Sequence, residues 1–148
     1  MPIPKSVIKI KKDHVEYISS VDRTQYLISE LCRAALRDTG KFIRRRILDK
    51  ARKLRGHKKG KRVLNAFQFW VRKREGNLQV GIRHNTWYGV EQELGTHNQP
   101  KRGLLRDTTF ENINEIQKIQ GQYLSAIEDE QKALRLIDEN DEGSNADE

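Results

Sequence analysis

Apolar residues recur at three- and four-residue steps over about thirty residues that begin near Asp22. This spacing predicts a long amphipathic helix, because positions three and four apart share one face. Asp22 and Gln25 have the spacing of a capping box, and Ser19 is a second candidate for the helix start. Gly40 interrupts the pattern, which resumes at once, so we expect one long bent helix. The stripe consists of Leu27, Leu31, Ala34, Ala35, Phe42, Ile43, Ile47 and Leu54.

Two runs of aromatic and β-branched residues follow a loop that is rich in glycine and lysine. Residues 66–74 and 77–83 have the composition of strands, and Glu75-Gly76-Asn77 joins them with turn residues. Together they predict a β-hairpin. Residues 85–96 are expected to form a short helix or loop, and residues 97–103 a loop.

A second apolar stripe predicts another long helix from about residue 106 to residue 140, with Arg106-Asp107-Thr108-Thr109 at its start. Near the beginning of the sequence, Val7-Ile8-Lys9-Ile10-Lys11 alternates between apolar and charged residues. That alternation predicts a short strand or an extended arm. We see no run of 18 apolar residues and no apolar leader, so neither a membrane span nor export is expected.

The predicted fold class is α+β, with two long helices packed on a small antiparallel sheet that contains a hairpin. We expect an N-terminal arm at residues 1–21 and a single domain at residues 22–137. Residues 138–148 contain no apolar residue larger than alanine. They cannot bury enough surface to offset the entropy of ordering, so we expect a disordered acidic tail.

Charge is distributed unevenly along the chain. The 29 basic and 21 acidic residues give a net charge of +8. From Glu128 onward there are nine acidic residues and two basic ones, so residues 1–127 carry about +15. Charged residues make up 34% of the chain and hydrophobic residues 35%, which predicts a thin core. A subunit that completes its burial against neighbours fits these proportions.

The sequence offers little support for catalysis. The four histidines are scattered and none forms an i, i+4 metal pair. The single Cys32 excludes an internal disulfide, and no glycine loop precedes a helix start in the manner of a phosphate site. Glu91 and Glu93 do not make a convincing acid/base pair. We therefore expect no enzyme, no metal and no cofactor.

The stretch from Lys41 to Arg74 holds fifteen cations and one acid, Asp49. A solvated helix face usually alternates in sign, so this bias favours contact with DNA phosphates or an acidic partner surface. A chance bias of a soluble surface is the alternative. The residues predicted to face DNA or an acidic partner are Lys41, Arg44, Arg45, Arg52, Arg55, Lys58, Lys59, Lys61 and Arg62. No sequence-reading motif accompanies them, so the contact would be non-specific.

The stretch from Trp87 to Arg106 carries a recognisable motif. It reads Tyr88-Gly89-Val90-Glu91-Gln92-Glu93-Leu94-Gly95-Thr96 and then Gln99-Pro100-Lys101-Arg102-Gly103-Leu104-Leu105-Arg106. This motif resembles a family of small neck proteins from long-tailed, lambda-like phages, the head–tail connector or tail-completion components. Its most specific part matches Glu93-Leu94-Gly95-Thr96. The chain departs from the family at Lys58, Lys59 and Gly103, where proline or threonine is usual.

The resemblance implies a structural virion protein of the neck, assembled in the host cytoplasm. It implies a homo-oligomeric ring, a hexamer, that joins connector or head-closure proteins to tail-terminator or tail-tube proteins around double-stranded DNA. The predicted interface residues are Trp87, Tyr88, Glu91, Glu93, Gly95, Thr96, Pro100, Leu105 and Arg106. The alternative function is a basic nucleic-acid-binding protein without sequence specificity, and a nuclease is a third, poorly supported hypothesis.

Two residues of the motif also have a structural interpretation that does not need the family. Gly95 follows the apolar residue Leu94 and precedes a polar loop. A glycine in this position predicts a positive φ angle. Glu93 is expected either to accept hydrogen bonds from loop amides or to pair with Arg102 or Arg106, and a direct contact between subunits is the alternative.

Overall fold

The computed structural model describes residues 3–4, 8–54 and 64–144. These residues form five α-helices and two antiparallel sheets of two strands each, so the α+β class is confirmed. In chain order the elements are β1 (Ile8–Lys12), β2 (Val15–Ser19), α1 (Val21–Arg52), β3 (Phe67–Arg72), β4 (Asn77–Ile82), α2 (Trp87–Leu94), α3 (Leu104–Glu111), α4 (Ile113–Ser125) and α5 (Glu130–Ser144). None of these helices is long and apolar enough to span a membrane.

Helix α1 is continuous over 32 residues, which confirms the prediction of one long helix. The Ser19 hydroxyl accepts a hydrogen bond of 3.4 Å from the Val21 amide at the helix start. Asp22 lies in the first turn, where a carboxylate interacts favourably with the helix dipole.

Gly40 lies inside α1 because the β3–β4 hairpin packs directly against the helix backbone at this position. A Cβ atom on Gly40 would lie 2.8 Å from Cγ of Phe69 and 3.0 Å from Cδ1 of Leu78. No side chain fits in that space without moving the hairpin. The residue that interrupts the apolar stripe in sequence is therefore a packing site and does not break the helix.

The predicted hairpin is confirmed as β3 and β4, which pair antiparallel with Phe67 opposite Ile82. Gly76 has a φ of +60° in the connecting turn, a conformation that favours glycine. Hydrogen bonds from the side-chain amide of Asn77 and from the Arg72 guanidinium lower the pKa of the Glu75 carboxyl at the tip.

The N-terminal arm is also a hairpin, although the sequence predicts only one strand. In strands β1 and β2, Ile8 lies opposite Ser19 at one end and Lys12 lies opposite Val15 at the other. Asp13 and His14 connect them with φ angles of +46° and +69°. Positive φ at both positions is the geometry of the tight turns that match the twist of two strands. Asp-His is an uncommon pair for this turn, so the sequence indicates it only weakly.

The expected second long helix is wrong, because α3, α4 and α5 are separate. Asn112 ends α3 and its side-chain amide donates to the Thr108 carbonyl at 2.7 Å, which competes with continued helix. Asp129 accepts hydrogen bonds from the amides of Gln131 and Lys132 at 3.0 and 3.3 Å. This is an N-cap, and it starts α5 anew after a short turn.

The disordered tail predicted for residues 138–148 is wrong for its first part. Helix α5 continues to Ser144, so the acidic residues from Asp138 to Glu142 are helical. Residues 145–148 lie outside the described residues. The apolar positions Ala133 and Ile137 are buried earlier in the same helix, and this burial supports helix formation beyond the last apolar residue.

The contacts within the chain define two compact units. The terminal unit comprises Met1–Ala34 and Gln122–Glu148, and the central unit comprises Ala35–Gly121. In the terminal unit, Asn140 donates to the Ala34 carbonyl at 3.3 Å, and Arg23 forms an ion pair with Glu130. In the central unit the buried core cluster consists of Ile43, Ile47, Ala51, Ala66, Phe67 and Leu104.

Candidate assembly interface

Helix α2 has an apolar stripe that faces outward. Trp87, Val90 and Leu94 are 67%, 43% and 66% exposed, although all three are apolar. They lie at positions i, i+3 and i+7, so they share one face of the helix. Glu91 extends the same face and is half-buried. We call these four residues the α2 stripe.

The opposite side of α2 is held tightly against the β3–β4 hairpin. A Cβ atom on Gly89 would lie 2.8 Å from Cβ of Ala66 and 3.0 Å from Cγ2 of Ile82, so only glycine permits this approach. Tyr88 packs against the core cluster of the central unit. Because the inner face is fixed in this way, the outward direction of the α2 stripe follows from the packing.

Glu93 ties the end of α2 to the start of α3. Its carboxylate accepts hydrogen bonds from the Leu105 amide at 2.9 Å and the Arg106 amide at 3.3 Å. A negative charge at a helix N-terminus satisfies free amides and interacts favourably with the dipole. We expected Glu93 to accept hydrogen bonds from loop amides, whereas the donors are amides in the first turn of α3.

The loop between these helices is ordered by further backbone contacts. Gly95 has a φ of +79°, which confirms the expectation of a positive angle, and a Cβ there would lie 2.7 Å from the Lys101 amide nitrogen. Thr96 and Gln99 exchange backbone hydrogen bonds of 2.9 and 3.2 Å. The Arg102 amide donates to the Gln92 carbonyl at 3.0 Å. The loop therefore holds α2 in one orientation.

The predicted interface residues separate into four groups. Trp87, Glu91, Thr96 and Pro100 are exposed or half-exposed and available to a partner. Tyr88 and Leu105 pack on the core cluster, while Glu93 and Gly95 shape the loop. The guanidinium of Arg106 lies over the ring of Phe110, 5.9 Å from its centroid. Direct contact between subunits stays a prediction for all nine.

The predicted cationic residues also differ in their surroundings. Arg44 donates to the Phe67 carbonyl at 3.1 Å and so holds the end of the hairpin. Arg52 pairs with Asp49 at 3.3 Å, Lys41 is half-buried and Arg45 is exposed. The remaining predicted cations, Arg55, Lys58, Lys59, Lys61 and Arg62, lie outside the described residues.

One further exposed apolar face is missing from the predictions made on the sequence. On the β1–β2 hairpin, Ile10, Tyr17 and Val15 point to the same side and are 55%, 58% and 69% exposed. Lys12 shares this side, because it is paired with Val15. The alternation of Val15-Glu16-Tyr17 is the signal that could have indicated it. We call Ile10, Lys12, Val15 and Tyr17 the hairpin face.

A family profile described as "Bacteriophage HK97-gp10, putative tail-component" matches residues 12–95, which is more than half of the chain. The chain belongs to this HK97-gp10-like family. The matched range begins at the end of β1 and includes α1, the β3–β4 hairpin, α2 and Gly95. No curated protein and no solved structure gives a significant match to the chain.

Membership of the HK97-gp10-like family confirms the resemblance to a phage head–tail family that the motif at residues 87–106 indicated. The family is one of bacteriophage tail components, so its members are structural parts of the virion. Within the described part of the chain, no three histidine, cysteine, aspartate or glutamate side chains are grouped to hold a metal ion.

Proposed function

We propose that this chain is a non-enzymatic, ring-forming subunit of the phage neck that joins the DNA-filled head to the tail. The observation that carries this proposal is the α2 stripe. A helix whose inner face is packed and whose end is tied by Glu93 presents a tryptophan and two aliphatic residues to solvent. Such a rigid apolar face is typical of a surface that is covered in the assembled state.

The energetic effect of covering this face is substantial. A buried tryptophan removes about 150–250 Å² from water, so covering the exposed two-thirds of Trp87 contributes on the order of 3–4 kcal/mol. Val90 and Leu94 add to this contribution. Because every subunit of a ring makes the contact once, the gain recurs around the ring.

A closed ring needs two different complementary surfaces on each subunit, related by a rotation. Six subunits would follow the family resemblance, with connector or head-closure proteins on one side and tail-terminator or tail-tube proteins on the other. The charge of about +15 in residues 1–127 would then favour non-specific contact with DNA in the channel.

The test compares two leucine substitutions in the full chain. Leu94 and Leu124 are 66% and 62% exposed, and both lie on helices, but only Leu94 belongs to the α2 stripe. We expect the wild type and Leu124→Asp to form rings, and Leu94→Asp to remain monomeric with unchanged helix content. Light scattering coupled to size exclusion and negative-stain microscopy measure the outcome.

Two results would contradict the proposal. Leu94→Asp rings identical to those of the wild type would show that the α2 stripe is not an interface. A wild type that stays monomeric, and binds duplex DNA with an affinity that falls steeply with salt, would favour the alternative of a non-specific nucleic-acid-binding protein.

A further inference from the structure

Apolar side chains on both sides of the N-terminal hairpin are more than half exposed. A two-stranded sheet is at best marginally stable in water unless one face is packed. On the hairpin face, however, Ile10, Tyr17 and Val15 are more than half exposed. The opposite face is mainly charged, with one exposed isoleucine, and its ion pair is weak because Lys11 lies 4.0 Å from Glu16. The hairpin face therefore has more exposed apolar surface than the opposite side, and among the described residues nothing covers it.

The composition of the hairpin face matches that of the α2 stripe. Each has three exposed apolar residues and one charged residue, and the charges have opposite sign. Within the described residues, neither Lys12 nor Glu91 has an ion-pair partner. Helix α2 contains two carboxylates and no basic residue, and its other carboxylate, Glu93, is already engaged by the amides of α3.

The two surfaces extend over comparable distances, about 10 Å for the α2 stripe and about 7 Å for the hairpin face. Residues 87 and 94 are separated by about 10 Å along a helix axis, at about 1.5 Å per residue. Residues 10 and 12 of the hairpin face are about 7 Å apart along the strand, at about 3.3 Å per residue. Lys12 is paired with Val15 across the two strands, and Glu91 follows Val90 in the sequence. In both surfaces the charged residue is therefore next to an apolar one.

We propose that the hairpin face of one subunit docks on the α2 stripe of a second copy, with Lys12 paired to Glu91. The inference rests on the proposed ring, since a head-to-tail interface requires two unlike surfaces on the same chain. A second copy is the occupant because the chain itself carries both halves, which are complementary in charge and similar in length. The hairpin then acts as an arm that links each subunit to the next.

The experiment uses charge reversal in the full-length chain. Lys12→Glu alone places two carboxylates together, and Glu91→Lys alone places two ammonium groups together. We expect each single variant to raise the dissociation constant for assembly about tenfold, because attraction becomes repulsion. The double variant on one chain should return to within about threefold of the wild type.

Mixing the two single variants distinguishes contact between copies from contact within a chain. In an alternating ring, the carboxylate introduced at position 12 of one variant meets the ammonium group introduced at position 91 of the other. At the next interface the native Lys12 meets the native Glu91. We therefore expect the mixture to assemble at concentrations where neither variant does so alone, with the two masses in equal number by native mass spectrometry. A contact within one chain could not be restored by mixing.

Lys9→Glu is the matched control, because Lys9 lies on the opposite side of the same strand and is paired there with Ile18. It should assemble like the wild type. Rings that form equally well in all the single variants would overturn the hairpin contact and leave the neck ring intact. Rescue in the double variant without rescue by mixing would also overturn it, since the pair would then lie within one chain. A wild type that never assembles would overturn both proposals.

Discussion

Replacing Gly40 by alanine tests whether the β3–β4 hairpin packs on α1 as described. In a solvent-exposed helix interior this substitution stabilises by about 0.8–1 kcal/mol, because glycine loses more backbone entropy on folding. At Gly40 the added Cβ would overlap Cδ2 of Phe69 and lie 2.8 Å from its Cγ. These atoms belong to the base of a rigid ring, so the ring or the strand must shift by about 1 Å to restore an ordinary van der Waals separation.

The magnitude follows from these two opposing effects. Inserting a methyl group into a packed site costs about 1–3 kcal/mol, and the contact at Gly40 is closer than real Cβ atoms tolerate, which favours the upper part of that range. Subtracting the gain in helix propensity leaves a net loss of about 1–2 kcal/mol in the free energy of unfolding.

Gly121→Ala provides the control, because Gly121 also lies in a helix and a Cβ atom there would meet nothing within 4 Å. We expect this variant to gain about 0.5–1 kcal/mol, so the two alanine variants should differ by about 1.5–3 kcal/mol. Urea denaturation at one protein concentration measures both. In a Phe69→Leu background the cost of Gly40→Ala should fall by about 1 kcal/mol, because the two sites are in contact. Equal stabilisation by both alanines would refute the packing.

Three further outcomes follow from the loop and the hairpin tip. Glu93→Ala should reduce the free energy of unfolding by about 1–2 kcal/mol in urea, because the Leu105 amide loses its acceptor, and Glu93→Gln should lose about half as much; no loss would exclude the cap. Gly95→Ala should cost about 2–3 kcal/mol in thermal denaturation, since its positive φ and the nearby Lys101 amide both disfavour a side chain; an unchanged midpoint would contradict this. The Glu75 carboxyl should titrate below its ordinary pKa by NMR, so its contacts stabilise the tip at neutral pH and are lost as pH falls through that lowered value; an ordinary pKa would show that the contacts do not form.

Periodic patterns made the central part of the fold predictable. The spacing of Ile43 and Ile47 indicated the long helix, and the turn at Gly76 indicated the hairpin. The positive φ of Gly95 could be inferred because this glycine follows the apolar Leu94 and precedes a polar loop. In each case the pattern reflects a local constraint on the backbone or on one face, which a single sequence displays directly.

The errors arose where a short-range side-chain contact decided between alternatives. Asn112 and Asp129 end and restart helices through their own side chains, although the apolar stripe continues across both. Composition alone predicts a disordered tail, whereas α5 extends to Ser144. The turn at Asp13 lacks the glycine that usually indicates it. The expected domain division at residues 22 and 137 stays a prediction.

The candidate site was only partly visible in the sequence. Residues such as Trp87 and Tyr88 are adjacent and aromatic, yet one is exposed and the other packs on the core cluster. The sequence does not distinguish them without the direction of α2, which depends on the close approach of Gly89 to the hairpin. The family match identifies the chain as a phage tail component, a class of protein in which an exposed apolar stripe is expected.

A cryo-electron-microscopy reconstruction of the virion neck tests the central claim most directly. We predict copies of this chain arranged as a ring around the DNA channel, with Trp87 and Leu94 of each subunit covered by its neighbour. A neck that lacks this chain, or a ring in which the α2 stripe faces solvent all around, would contradict the proposed role.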